Sequence, residues 1–408
     1  MPRLLSYYGD DLTGSTDVLE ALASRGVPTV LFTRRPTPGQ SARFSDARAI
    51  GLAGSSRSET PAWMDEHLTP ALAWLKTLDA AVCHHKICST FDSSPAIGSI
   101  GRAIDIGQKL FAQANIPLVV GAPQLKRYTA FGNLFAAYQG RTYRINRHPV
   151  MARHPVTPMT EADLCLHLGR QTDKTIGLVD LTLLASEDCD ERVDAVVSRG
   201  AQIVLFDVAG IASQKTVGRQ LARLRQDRGA FVVGSSGVEY ALLTEWARAG
   251  LLADAPRFDA PGPIDRIAVG SGSCSATTER QIRYAEAHGF DVFAVDPKGL
   301  ATGDGSLHRP RHPDRPREPR AGTQRGTLHR AWPGDRCRRS IRDRRRASRD
   351  RPRVGRRPGR ADRTGGLAPG CHRRRRHVEP CLAPTRRLCA YDAPAATDDA
   401  GLSPLPRP

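Results

Sequence analysis

Two consecutive carboxylates open the most chemically loaded stretch of the chain. The run Gly9-Asp10-Asp11-Leu12-Thr13-Gly14-Ser15-Thr16-Asp17 follows a short apolar segment and leads into a helical pattern. In parallel α/β sheets ligands bind outside the carboxyl ends of the strands, and there Asp10 or Asp11 could orient and deprotonate a substrate hydroxyl. Either acid alone could simply cap the helix, but two in succession before Thr-Gly-Ser exceed what a cap requires. A second cluster, Lys86-Ile87-Cys88-Ser89-Thr90-Phe91-Asp92-Ser93-Ser94, brings a cation, hydroxyls and a carboxylate into one loop. Lys86, Ser89, Thr90 and Asp92 would suit a small polyhydroxy carboxylate, the plainer alternative being a hydroxyl-rich turn. Arg153 and His154, in Arg153-His154-Pro155-Val156-Thr157-Pro158-Met159, could add anion-binding cations. The small-residue turn Gly270-Ser271-Gly272-Ser273-Cys274-Ser275 lies between a strand pattern and a helix pattern, where backbone N–H groups and the hydroxyls of Ser271, Ser273 and Ser275 can cradle phosphate. It lacks the GxxxxGK[ST] spacing of a P-loop.

These groups need strands to carry them. Short β-rich runs alternate with amphipathic stretches through the first 300 residues, the pattern of parallel α/β units. Strands are expected at Leu4–Tyr8, Thr29–Thr33, Ala49–Leu52, Ala81–His85, Pro117–Val120, Ile176–Val179, Ile203–Asp207, Phe231–Gly234 and Arg266–Gly270. Helices are expected at Ser15–Arg25, Pro61–Leu78, Ile100–Gln113, Glu161–Leu168, Asp190–Ser198 and Val217–Asp227. The fold class is therefore α/β: an open, mostly parallel sheet over residues 1–250, a linker at 251–264, and the start of a second α/β unit at 265–300.

Composition excludes other classes. No apolar stretch approaches the ~20 residues of a membrane span, and nine cysteines without a CxxC pair or a secretory leader point to a reducing cytoplasm rather than a disulfide scaffold. The net charge of +18 is misleading as an average, because residues 1–300 carry +1 and residues 301–408 carry +17 with 28 Arg and no Lys. That last segment holds 14 Pro and no Phe or Met, so it cannot bury a core. Three readings compete for it: a nucleic-acid arm, a disordered extension, and a GC-rich gene read out of frame. The third is favoured, since shifted GC-rich codons yield Arg, Pro, Ala and Gly while Lys, Phe and Ile vanish. A binding protein with a basic nucleic-acid tail is kept as the alternative from a different functional class.

The combination of Gly9-Asp10-Asp11-Leu12-Thr13-Gly14, Cys88-Ser89-Thr90-Phe91-Asp92-Ser93, His154-Pro155-Val156-Thr157-Pro158-Met159, Gly234-Ser235-Ser236-Gly237 and Ser271-Gly272-Ser273-Cys274-Ser275 resembles the four-carbon acid sugar kinase family, over about residues 3–298. Its members phosphorylate tetronates or 3-oxo-tetronates with ATP. The resemblance implies an N-terminal acid-sugar domain with Asp10, Asp11, Lys86, Ser89, Thr90 and Asp92 lining its site, a C-terminal nucleotide domain whose Ser271–Ser275 loop touches ATP, and a requirement for Mg²⁺. Family members also carry a TALGP-like segment and a GG[DE]TS nucleotide loop. Neither is encoded here, but a one-nucleotide shift permits TALGP across His329–Pro333 and AGGDTSSHALR across Arg373–Ala383. The expectation is a sugar-binding lobe with sugar acid and ATP as partners, and little kinase activity from the chain as written.

Overall fold

A computed structural model describes residues 2–259, 262–264, 266–273 and 275–295, and the strand Arg325–Ala331. They fall into two compact units that divide between Pro261 and Gly262.

The first unit is built on an eight-stranded sheet whose registered pairs are all parallel. Its strands are β1 (Leu5–Gly9), β2 (Thr29–Phe32), β3 (Ala49–Ala53), β4 (Val82–Lys86) and β5 (Ile116–Val119), then, after a separate antiparallel meander of β6 (Arg127–Ala130), β7 (Asn133–Tyr138) and β8 (Arg141–Arg144), β9 (Ile176–Val179), β10 (Ile203–Phe206) and β11 (Phe231–Gly234). The order is β2-β3-β1-β4-β11-β5-β10-β9. The chain leaves β1 for β2 on one side, and leaves β4 for β5 on the other. Neighbouring strands whose connections depart in opposite directions leave a crevice at their carboxyl ends, where α/β sheets commonly bind ligands, and here that crevice lies between β1 and β4.

Both strands are buried along their whole length. In β1 this follows from Leu-Ser-Tyr-Tyr-Gly; in β4 the sequence is Val-Cys-His-His-Lys, and its polar groups need partners. His84 contacts Glu239 through Nδ1 and the Gly234 carbonyl through Nε2 at 3.0 Å. His85 stacks on Tyr8 at 5.7 Å between ring centres, and burial pushes its pKa down to about 3, so it is neutral. Glu239 lies on the helix Gly237–Arg248, which the sequence reading did not anticipate.

The expected strands are present, Ile176–Val179 and Phe231–Gly234 with the expected ends and the others shifted by a residue, and two differences matter for the site. The first helix spans Leu12–Ala23 and so begins before Ser15, because Asp11 caps it through the Gly14 N–H. Strand β4 extends to Lys86. The meander was not anticipated: its turns use Phe131-Gly132 and Gln139-Gly140, all four at positive φ, rather than the Asn-Gly or Asp-Gly pairs that announce such hairpins.

In the second unit β12 (Arg266–Ser271) and β13 (Asp291–Val295) each pair with β14 (Arg325–Ala331), all parallel, in the order β12-β14-β13. Strand β14 comes from the segment expected to bury no core and to be disordered or out of frame. The rest of that expectation, for 301–324 and 332–408, lies outside the described residues. Between Leu251 and Asp259 the chain is irregular and mostly exposed.

Candidate active site

The site is assembled at the carboxyl ends of β1, β3 and β4. Strand β1 ends at Gly9, where a Cβ would stand 1.9 Å from the Ser15 hydroxyl, so glycine lets the first helix turn back tightly on its strand. Asp10 follows; its N–H donates to the Lys86 carbonyl at 3.0 Å, which ties the β1 exit to the end of β4. Asp11 accepts the Gly14 N–H at 2.7 Å with Oδ1, leaving Oδ2 for another partner.

That partner is Arg57, which sequence reasoning missed. It sits in a single turn, Ser56–Ser58, just past β3, and its N–H donates to the Asp10 carbonyl at 3.1 Å. Its guanidinium donates to Asp10 twice, from Nε at 3.1 Å and Nη2 at 2.7 Å, and to Asp11 Oδ2 from Nη1 at 2.7 Å. Burial works against the Arg57 charge, yet Asp10, Cys88, Asp11 and Asp92 together hold its pKa well above the ordinary value. Burial raises the pKa of Asp11, with Arg57 opposing. The signal that could have found Arg57 is positional: Gly54-Ser55-Ser56-Arg57-Ser58 leaves β3 as Asp10-Asp11 leaves its neighbour β1.

Lys86 is buried, with Nζ donating to the Ile87 carbonyl at 3.2 Å and 3.6 Å from Asp17 Oδ2. Its charge also acts on Asp11. Asp17 in turn meets Ser236, past the end of β11. In the loop after β4, Thr90 donates to Asp92 and lies 2.8 Å from the Cys88 sulfur. Phe91 is fully buried at φ +58, a left-handed conformation costly for an aromatic residue, and Ser93 donates to its carbonyl at 3.0 Å. His167 lies 3.1 Å from the Ser93 hydroxyl, and Gln171 donates to that hydroxyl at 2.9 Å.

His154 joins this cluster. Its Nδ1 accepts the Thr157 N–H at 2.9 Å, and its pKa is lowered by burial while Asp92 and Arg57 act on it with opposite signs. Arg153 stands exposed and is not brought in. Ser89 is half-buried at the rim. Ser271, Ser273 and Ser275 belong to the second unit: Ser271 ends β12, Ser275 caps Ala276–Ala287 by accepting the Thr278 N–H at 3.0 Å, and Ser273 accepts the Ser275 N–H at 3.2 Å and the Thr278 hydroxyl at 3.0 Å.

One end of the crevice is thus a pair of carboxylates fixed by a guanidinium, and beside it lie a buried ammonium and a hydroxyl-rich loop. Such an arrangement can orient a hydroxyl and bind a polyol. It does not offer a metal site of its own: among the described residues no three His, Cys, Asp or Glu converge, and Arg57 occupies both oxygens of Asp10. Also among these residues, no helix is long and apolar enough to cross a membrane.

Comparison with known proteins places the chain among sugar-binding domains and sugar-acid kinases. A family model described as a sugar-binding N-terminal domain matches residues 5–242. The chain is 50% identical over 304 residues to a 3-oxo-isoapionate kinase of Paraburkholderia graminis, covering 74% of this chain and 64%, less than two thirds, of that relative. It is 32% identical over 313 residues to a 3-oxo-tetronate kinase of Methylobacterium radiotolerans, covering 74% and 69%. A further 3-oxo-tetronate kinase, from Cupriavidus necator, is 30% identical over 312 residues, covering 74% and 68%. Among solved structures, a Salmonella typhimurium LT2 protein superposes with a TM-score of 0.58 at 22% identity, covering 81% of this chain and 75% of that one. A Haemophilus influenzae protein of the DUF1537 family gives 0.57 at 20% identity, covering 83% and 77%. At these identities the two structures establish a shared fold.

Proposed function

The chain belongs to the four-carbon acid sugar kinase family, and from that premise we propose that its first unit binds a four-carbon sugar acid and presents a terminal hydroxyl for phosphorylation by ATP. The observation that carries the reading is the Arg57-bound pair Asp10–Asp11 at the crevice between β1 and β4, beside Lys86.

In this reading Asp10 and Asp11 orient the hydroxyl, while Lys86, Thr90, Asp92 and His154 line the polyol, with Ser89 at the rim. Phosphoryl transfer through a loose transition state asks mainly for positioning and charge neutralisation, so a carboxylate held in place serves better than a strong base. ATP falls to the second unit, with the Ser271–Ser275 loop as the phosphate-side contact. Mg²⁺ would come bound to the nucleotide phosphates, since Arg57 already engages both oxygens of Asp10. The cytoplasm suits the four described thiols, Cys83, Cys88, Cys165 and Cys189, which are all free. Because the Paraburkholderia relative is named for a 3-oxo sugar acid, 3-oxo acids are the first substrates to test beside threonate and erythronate.

We further infer that this chain turns over ATP slowly, because residues 301–408 lack the glycine-rich nucleotide loop expected of the family. Calorimetry with threonate, erythronate and their 3-oxo forms tests the sugar site, and a coupled ADP-release assay tests transfer. Saturable binding of one acid, lost in Asp10→Asn, is the expected result. Failure of every acid to bind would overturn the reading, and rapid ATP turnover would overturn the inference of impairment.

A further inference from the structure

The fold buries two arginines near the Cys88 loop and treats them differently. Arg57 is matched by two carboxylates. Arg127, the first residue of β6, is 94% buried by its 6% relative exposure, yet among the described residues it has no carboxylate within ion-pair distance. Its hydrogen bonds there run only from Nη1, to the carbonyls of Leu125 at 3.0 Å and Lys126 at 3.2 Å, both in its own turn. Nε is buried with no partner. Burial depresses the proton affinity of this guanidinium, as expected for a cation lacking a counter-charge.

Its surroundings belong to the same site. The Cys88 loop leaves the end of β4, and Arg127 begins β6 shortly past the end of β5, two places from β4 in the sheet order, so both stand at the same carboxyl edge of the sheet. On Arg127's side stands His148, also buried. Nδ1 of His148 accepts the N–H groups of Val150 and Met151, each at 3.2 Å, and burial, then Arg127, keep the ring neutral. The proton therefore sits on Nε2, on which the Ala137 carbonyl acts. A buried guanidinium with an unpartnered Nε and no counter-charge among the described residues describes a receptor for an anion.

A sugar acid carries one charge, at its carboxylate end, and Asp10–Asp11 would repel it there. Lys86 is already engaged by Asp17 and the Ile87 carbonyl. We infer that Arg127 receives the carboxylate of the sugar acid and so sets which end of the substrate faces Asp10 and Asp11, an assignment that rests on the sugar-acid reading of this unit.

The test uses the full chain, with calorimetry of erythronate and threonate and thermal melts without ligand, on the wild type, Arg127→Met and Arg127→Lys. Expected is loss of sugar-acid affinity on the order of tenfold or more in the Met variant and a smaller loss in the Lys variant, which keeps charge without the fork. At least one of the two variants should melt at or above the wild-type temperature, because it relieves an unmatched buried charge. Wild-type affinity in Arg127→Met would overturn the assignment and leave the sugar-acid reading intact. Lowered melting in both variants would also overturn it, by showing that Arg127 serves the fold. No binding of either acid by the wild type would overturn both.

Discussion

Arg57 spends its three bonding nitrogens on two adjacent carboxylates, and this decides what those acids can do. A carboxylate whose lone pairs already accept charge-assisted hydrogen bonds is a well-fixed acceptor. Removing the guanidinium leaves two nearly buried negative charges facing each other, a change that costs about 3–5 kcal/mol in comparable buried pairs. Arg57→Ala should therefore lower the melting temperature markedly and abolish sugar-acid binding. Arg57→Lys should recover part of the stability without the binding, since an ammonium cannot reach both acids with the same fork; equal affinity in calorimetry would argue against the positioning role. The acids were legible in the sequence because their chemistry is contiguous in Asp10-Asp11. Arg57 was not, because it joins them only through the pairing of β1 with β3. Arg127 was likewise invisible, since it reads as one more surface arginine until its burial is known.

Elements position these residues with little slack. A methyl group on Gly9 would collide with Ser15, so Gly9→Ala must move the first helix away from β1 or distort the Asp10–Asp11 turn. A cost of about 1–3 kcal/mol, with weakened sugar-acid binding, is expected from paired melting and calorimetry experiments. The meander is tied to the sheet by Asp207, past β10, which accepts the Gly132 N–H at 3.2 Å and 3.4 Å. Burial lifts the Asp207 pKa from 3.8 to about 6. The folded form then binds its proton more readily than the unfolded form. Stability from this group is fully present below about pH 4 and is lost as pH rises through about 6. Melting curves of Asp207→Asn against wild type from pH 4 to 7 should diverge in the variant's favour as pH rises, and parallel curves would refute the shift. The parallel sheet was readable because apolar runs alternate with helical ones. The meander was hidden by turns made from Phe-Gly and Gln-Gly, where a buried tie such as Asp207 rather than turn propensity holds the geometry.

At the scale of the whole molecule the sequence divides by charge and the structure by units. The near-neutral first 300 residues contain nearly all the described structure, and the +17 of the remainder is sequence of a different character. If that segment is an out-of-frame reading, a gene with the frame restored near codon 300 should give the same sugar-acid affinity as the present chain and a much faster ADP-release rate. Equal rates would dismiss the idea. Strand β14 adds a constraint on such experiments. It is the middle slat of its sheet: β12 and β13 are each registered to it and not to one another. Cutting the chain after residue 300 would therefore not prune an appendage; it would pull the keystone from an arch and leave two orphaned edges prone to self-association.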